Sequence, residues 1–440
     1  PPLERNGKME RAKGYIVDVC TDEALAFIAR SRDKPFFCYV PFTTPHSPWA
    51  VPQEYWRRFK DRPLEQLATQ PKQENQDQTR CALAMLENQD WNVGRILKKL
   101  DALGLAENTI VLYFSDNGPN GARWTGGMKG VKGGTDEGSV RSVCFLRWPA
   151  GLPKGKTVAE IAGAIDLLPT LTSLAGVARV GDKPLDGRDL TPLLLGQKVA
   201  WPDRTLFTAW GGKVSARTQQ YRLDASGALF DMLADPGQTK NVADERPEAA
   251  ASLAQAAAAW RAEVYGPDID AKLEKGGRTD PRPLGVGYPE FPTTMLPARD
   301  GEPRGCVARS GKAPNCSYFV NWVDRSGEMV WRIDVQTAGD YDVVIDYTCP
   351  PADAGSLVEL SFNGAKLTGR VTPGWNPPLN TNQDTVPRAH GESQMKEFRP
   401  LALGTIRLAK GAGPLTLRAI EIPRASVMDV RRVTLTLRPP

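Results

Sequence analysis

Three short stretches hold side chains able to act on one anionic group. In Ser115-Asp116-Asn117-Gly118, Asp116 and Asn117 set a carboxylate beside an amide carbonyl, two hard oxygen donors of the kind calcium and magnesium take. Gly118 permits the tight turn after them. Lys132 opens the glycine-dense run Lys132-Gly133-Gly134-Thr135-Asp136-Glu137-Gly138, from which a compact cation can reach a bound oxyanion. His46, in a loop stiffened by Pro45 and Pro48, can hydrogen-bond an oxyanion oxygen or a leaving group. Taken singly, each signal is weak. Asp-Asn-Gly is among the commonest turn sequences, and Lys132 reads equally as a solvated loop lysine, with Lys129 its rival. The chain has two histidines, His46 and His390, and the place of His46 at a strand end favours function.

The flanking elements decide whether these groups can meet. Thr21 can N-cap a helix with Asp22 and Glu23 in its first turn and Ala24, Leu25, Phe27 and Ile28 on its apolar face. Phe36-Phe37-Cys38-Tyr39-Val40 is a short, unalternating apolar run, as expected for a strand buried on both faces, and it leads into the His46 loop. Ala82, Met85, Leu86, Val93, Ile96, Leu97 and Leu100 predict an amphipathic helix over 80–103, closed by Gly104. Thr109 to Phe114 reads as a second buried strand, and Arg141 to Trp148 as a third. A strand–helix–strand crossover makes the first two strands parallel, so His46 and Asp116-Asn117 are expected on one sheet edge, where open α/β sheets place ligands.

With these elements in order, residues 8–262 resemble the formylglycine-dependent (type I) sulfatases of the alkaline phosphatase superfamily. The likeness includes Phe36 to Pro48, Leu86-Glu87-Asn88-Gln89-Asp90 with Gly94-Arg95, and the Ser-Asp-Asn-Gly turn. It continues through Ile165 to Leu171, Leu185-Asp186-Gly187, Leu229-Phe230-Asp231, Asp235-Pro236 and Asn241. The resemblance implies that Asp116 and Asn117 ligate Ca2+, that Lys132 binds the sulfate, and that His46 contacts it near the ester oxygen. It also implies an α/β fold comprising the C-terminal portion of an alkaline-phosphatase-like mixed sheet flanked by helices. Two local departures are Glu137-Gly138-Ser139 for Glu-Gly-Gly and Arg141-Ser142-Val143 for Arg-Val-Pro. The larger departure is the absence of the family's first part, with its paired acidic metal ligands and the Cys that becomes formylglycine. None of the seven cysteines (Cys20, Cys38, Cys81, Cys144, Cys306, Cys316, Cys349) is followed by x-Pro-x-Arg. The chain opens at Pro1-Pro2 inside what should be a folded domain, so an N-terminally truncated, inactive fragment is expected.

The 440 residues, 41% of them apolar, are enough to fill at least two cores. A net charge of +5 with dispersed basic residues gives no reason to infer a nucleic-acid partner. No apolar stretch approaches the ~20 residues of a membrane span. The expected domains are 1–262, a 263–303 linker dense in Pro, Gly and charge after the Ala249–Ala262 helix, and an all-β sandwich over 304–440. Alternation in Trp331–Val335, Tyr341–Tyr347, Val358–Phe362 and Leu415–Ala419, with the Asn363-Gly364 turn, predicts that sandwich.

The tail resembles carbohydrate-binding β-sandwich modules at the level of pattern. Trp322 and Trp375 are sugar-stacking candidates, with core packing at least as good a reading. Cys306 and Cys316 could close a small disulfide in an oxidising, periplasmic or extracellular compartment. The expected activity is sulfuric ester hydrolysis on a sulfated glycan or a small sulfate ester. The alternatives are a glycan-binding pseudoenzyme and a phosphatase or phosphodiesterase of the superfamily, the latter disfavoured by the shortage of histidines for zinc.

Overall fold

The chain divides into two compact units, Pro1–Arg278 and Thr279–Pro440. A computed structural model describes residues 2–6, 8–274, 282–313, 317–388 and 391–439; His390 and Cys316, and with Cys316 the expected disulfide, lie outside them.

In the first unit, Val17, Thr21, Ala24 and Ile28 form one buried stripe, which draws the first long helix out to Ile16–Arg30. Thr21 is therefore inside the helix and not its N-cap, and its hydroxyl donates back to Val17 O at 2.8 Å. The second long helix, Gln76–Ala102, starts where Asn75 accepts a hydrogen bond from Gln78 N at 3.1 Å. It ends just before Gly104, whose φ of 69° turns the chain out of the helix. Asn88 and Asn92, both buried, donate to Asp18 Oδ1 at 2.9 and 2.8 Å, which locks the two helices in register.

Val111–Phe114 forms a strand, but it pairs antiparallel with Cys144–Arg147 in a sheet of two. The expectation that Phe36–Val40 is a parallel neighbour buried on both faces is corrected: it forms no strand. Phe36 packs against the cluster of Ile28, Leu100 and Ala106, as Val111 does, while Phe37 and Tyr39 face outward. The apolar run is covered on one side only. Further on, four short antiparallel strands, Leu206–Trp210, Lys213–Arg217, Tyr221–Leu223 and Leu229–Asp231, pack on the alanine-rich helix through Leu253, Ala250 and Ala257. That helix, Pro247–Glu274, breaks at Gly266 (φ 66°) before Pro267.

The second unit is the expected sandwich. One sheet runs Ala308–Arg309, Phe319–Val320, Asp429–Leu437, Gly339–Thr348, Arg399–Leu408. The other runs Glu302–Arg304, Glu328–Val335, Gly411–Glu421, Leu357–Phe362, Ala365–Arg370. Their inward residues, among them Trp331, Ile333, Leu360, Leu417, Val343, Ile345 and Val433, fill one core. Asn363 and Gly364, at φ 44° and 92°, make the hairpin between Leu357–Phe362 and Ala365–Arg370. Leu284–Val286 and Thr293–Pro297, in the stretch expected as linker, add strands to these sheets, because their apolar residues Val286 and Leu296 enter the same core. Among the described residues no helix is long and apolar enough to cross a membrane.

Candidate active site

The turn after Val111–Phe114 is held by main-chain bonds on both flanks. Ser115 N donates to Val143 O at 3.3 Å and Gly118 N donates to Ser139 O at 2.8 Å. A Cβ at Gly118 would fall 1.9 Å from Gly138 O, so the Asp116-Asn117 turn lies directly on the Glu137-Gly138-Ser139 segment. Replacing Gly118 by Ala is expected to destabilise the first unit by about 1–3 kcal/mol through this collision. A melting temperature equal to that of the parent would show that the contact is not tight.

The glycine-rich loop closes on the same turn. Lys132 N donates to Pro119 O at 2.9 Å, and Gly138 N donates to Lys129 O at 2.8 Å. Lys132 and the Asp116-Asn117 pair are thus stitched together by backbone. The two lysines of the loop differ in their partners. Lys129 Nζ lies 3.1 Å from Asp224 and 3.4 Å from Asp136; burial opposes its charge, but the bond to Asp224 and the field of both carboxylates outweigh that and raise its pKa. Lys132 Nζ has no hydrogen-bond or ion-pair partner among the described residues.

Beneath the loop lies a buried charge cluster that sequence reading missed. Glu137 receives Arg222 Nη2 at 2.7 Å and Arg222 Nε at 3.2 Å, with Arg217 Nε at 3.4 Å. Burial would raise the pKa of the Glu137 carboxyl, but Arg222, with Arg217 and Arg141, holds it below the usual range. Arg222 also donates to Thr135 O at 2.7 Å, and Gln238 accepts from Glu137 N at 2.8 Å while donating to Asp136. The local sequence carries no signal for this, since Glu137 and Arg222 are 85 positions apart. The two departures from the family pattern have local roles. Ser142 Oγ donates to Ser115 O at 2.6 Å, and Ser139 Oγ fills space left by Gly130 and Gly134, buried and with no hydrogen-bond partner among the described residues.

His46 Nδ1 donates to Ser47 O at 2.7 Å, which leaves Nε2 as the ring nitrogen for an external contact. Its loop is tied to the strand before the turn through Gln89, which accepts from Thr44 Oγ1 and donates to Tyr113 Oη, both at 3.1 Å. No bond joins His46 itself to Asp116, Asn117 or Lys132 among the described residues. Asp116 and Asn117 have the hard donor oxygens a calcium ion prefers, but they supply two of the ~6–8 it takes. Among the described residues, no three His, Cys, Asp or Glu side chains converge to hold a metal.

The downstream landmarks are structural. Asp166, fully buried, accepts from Arg204 at 2.8 Å, Arg188 N at 2.7 Å and Gly163 N at 2.8 Å. Gly187 packs where a Cβ would meet Ile165 O at 1.9 Å, and Asn241 accepts from Leu229 N and Ala243 N, both at 3.0 Å. In the sandwich, Trp322 is buried in the core, and one face of Trp375 is covered by Arg399 at 3.4 Å. Trp322 is therefore no stacking platform, and Trp375 is half-buried.

Comparison with known proteins agrees with this architecture. The Sulfatase family matches residues 2–177, which include His46, Asp116, Asn117 and Lys132. Mouse (Mus musculus) steryl-sulfatase is 38% identical over 194 residues, covering 42% of this chain and 28% of its own. Human (Homo sapiens) arylsulfatase A is 32% identical over 267 residues, covering 52% and 49%. Ps i-CgsB, solved in complex with k-i-k-neocarrahexaose, superposes with a TM-score of 0.54 at 25% identity, covering 63% of each chain. The chain therefore spans between 28% and 49% of the length of these two curated relatives. On the family match and these relatives, residues 2–177 are those of a sulfatase-family domain, in the alkaline-phosphatase-like fold.

Proposed function

We propose that this chain is the sulfate-binding part of a calcium-dependent sulfuric ester hydrolase acting on a sulfated carbohydrate or aryl sulfate outside the cytoplasm. The observation that carries the reading is the contrast between the two loop lysines. Lys129 is held by Asp224 and Asp136, whereas Lys132, on a loop bonded to the Asp116-Asn117 turn, has no ionic partner among the described residues. A cation preorganised without a counter-ion is suited to an incoming anion and stabilises charge without reorganising at the moment of reaction. Asp116 Oδ and Asn117 Oδ1 would contribute to the calcium site, and His46 Nε2 would exchange a proton with the ester oxygen. When present, calcium supplies positive charge against the sulfate oxygens, and formylglycine, from a Cys-x-Pro-x-Arg segment that these residues lack, supplies the nucleophile. The carbohydrate preference draws on the C-terminal sandwich, whose value to a hydrolase would be to hold a polymer near the site. It draws also on the complex formed by Ps i-CgsB.

Turnover of a generic aryl sulfate is the test. The 440-residue chain alone, with calcium, is expected to give none. In a polypeptide that also carries the Cys-x-Pro-x-Arg segment, Lys132→Ala is expected to lower kcat/KM by about two orders of magnitude, the scale of losing one preorganised charge-stabilising group. Lys129→Ala should cost less. Equal losses would move the sulfate contact elsewhere on the loop, and turnover by the 440-residue chain alone that Lys132→Ala abolishes would refute the need for the missing nucleophile.

A further inference from the structure

Trp210 closes the strand Leu206–Trp210, and it is 59% exposed. The same strand shows the ordinary fate of an aromatic side chain: Phe207 is half-buried and stacked on Trp260, with ring centroids 5.3 Å apart. No ring stacks on Trp210 among the described residues, and its indole N–H has no hydrogen-bond partner among them.

The place of the ring bears on its use. A Cβ at Gly133 would lie 3.6 Å from Trp210 Nε1, an ordinary van der Waals distance, so the indole edge rests on the residue that follows Lys132. Consecutive Cα atoms are about 3.8 Å apart, which puts the ring one residue from the lysine. Other groups fasten this part of the fold to the loop. Ser215, on the strand Lys213–Arg217 that pairs with Leu206–Trp210, donates from Oγ to Thr135 O at 2.8 Å, and Arg222 Nη1 donates to the same carbonyl at 2.7 Å. Gly211 and Gly212, at φ 54° and 79°, make the tight turn that follows Trp210. Trp210 is thus held beside the loop without having to hold it, and its open face is in place before any ligand arrives.

In a sulfate ester one bridging oxygen separates the sulfur from the carbon that bears it, so an anion seated at Lys132 brings that carbon's ring next to Trp210. The flat C–H face of a pyranose, or the face of an aryl ring, covers indole surface on contact, whereas the bare anion or a methyl ester has no such face. We propose that Trp210 is the stacking platform for the ring that carries the sulfate ester, and so the residue by which this site prefers cyclic sulfate esters. The proposal rests on the reading of Lys132 as the sulfate contact. The two separate in the test, because one concerns the anion and the other the ring.

The test is the affinity of the 440-residue chain, with calcium present, for methyl sulfate, phenyl sulfate and galactose 4-sulfate, measured by ligand-observed NMR titration. At least one cyclic ester is expected to bind about tenfold more tightly than methyl sulfate, the scale of one well-covered ring contact, and the larger gain of the two names the ring. Trp210→Ala should erase that advantage and leave both the affinity for methyl sulfate and the melting temperature as in the parent, since the side chain is exposed. Trp210→Phe should keep most of the advantage, and Lys132→Ala should weaken all three ligands by a common factor. A parent chain that does not separate the cyclic esters from methyl sulfate would overturn the proposal. So would an advantage that survives Trp210→Ala, or a loss in Trp210→Ala that methyl sulfate shares equally, which would make Trp210 a support of the loop. Ring binding that depends on Trp210 but not on Lys132 would leave the platform standing and overturn the sulfate contact instead.

Discussion

Glu137→Gln is expected to destabilise the first unit by about 3–5 kcal/mol, the cost of removing one partner from a buried ion pair and leaving the other charge uncompensated. Arg222, with its side chain 3% exposed, has Glu137 as its ionic partner, and Arg217, 11% exposed, shares it. Without the carboxylate, two buried guanidinium groups face each other under the glycine loop. The melting temperature should fall on the order of 10 °C for a unit of this size. A fall of less than 2 °C would mean that water reaches the cluster and screens it.

The pH dependence has a definite sign. The folded-state pKa of Glu137 is held below its unfolded value, so its contribution is complete above the ordinary glutamate range near ~4.3 and is lost as pH falls through the depressed folded value. The parent should lose stability in acid over that window, and Glu137→Gln should lack this component. A double change of Glu137 and Arg222 to Met should recover much of the loss, because buried pairs replaced together by apolar residues are often neutral. What the pair then contributes is the shape of the loop, through Arg222 on Thr135 O and Gln238 on Glu137 N.

The other large effect is expected in the sandwich. Trp331 is fully buried, with Phe319 edge-on at 5.8 Å and its indole N–H donating to Pro297 O at 2.9 Å. A Cβ at Gly301 would come within 2.7 Å of the ring, which leaves little room for rearrangement. Trp331→Ala is expected to cost about 3–5 kcal/mol, from lost transfer energy and the cavity left behind. Trp331→Phe keeps most of the packing but strands the Pro297 carbonyl, at about 1–3 kcal/mol. Denaturant unfolding followed by far-UV circular dichroism checks both. A loss below 1 kcal/mol for Trp331→Ala would show that the two sheets can close over the gap.

Much of the sandwich was legible because each strand carries its own record of the fold. Alternation along Tyr341–Tyr347 or Val358–Phe362 states which side is inward, and Asn363-Gly364 states where the chain reverses, before any long-range contact is known. The linker reading gave way for a related reason. Leu284–Val286 and Thr293–Pro297 are too short, and too rich in neighbouring Gly and Pro, to announce themselves, and they become strands only by pairing with Glu328–Val335 and Asp429–Leu437.

The chemistry on offer at the candidate site could be read from the amino-acid order alone: two adjacent oxygen donors, a loop lysine and a proline-flanked histidine, in an order that resembles a sulfatase. The amino-acid order also showed that the helices Ile16–Arg30 and Gln76–Ala102 exist, since apolar period is a local property, but it placed the start of the first at Thr21, which lies inside the helix. It took long-range contacts to tell Lys129 from Lys132, the one of the two without an ionic partner among the described residues, because the carboxylate that holds Lys129 most closely, Asp224, lies 95 positions away. The tertiary structure alone joined Glu137 to Arg222, and it alone left Phe37 and Tyr39 uncovered. An apolar run shows that a segment seeks burial, while the neighbours that bury it are set by residues remote in the chain.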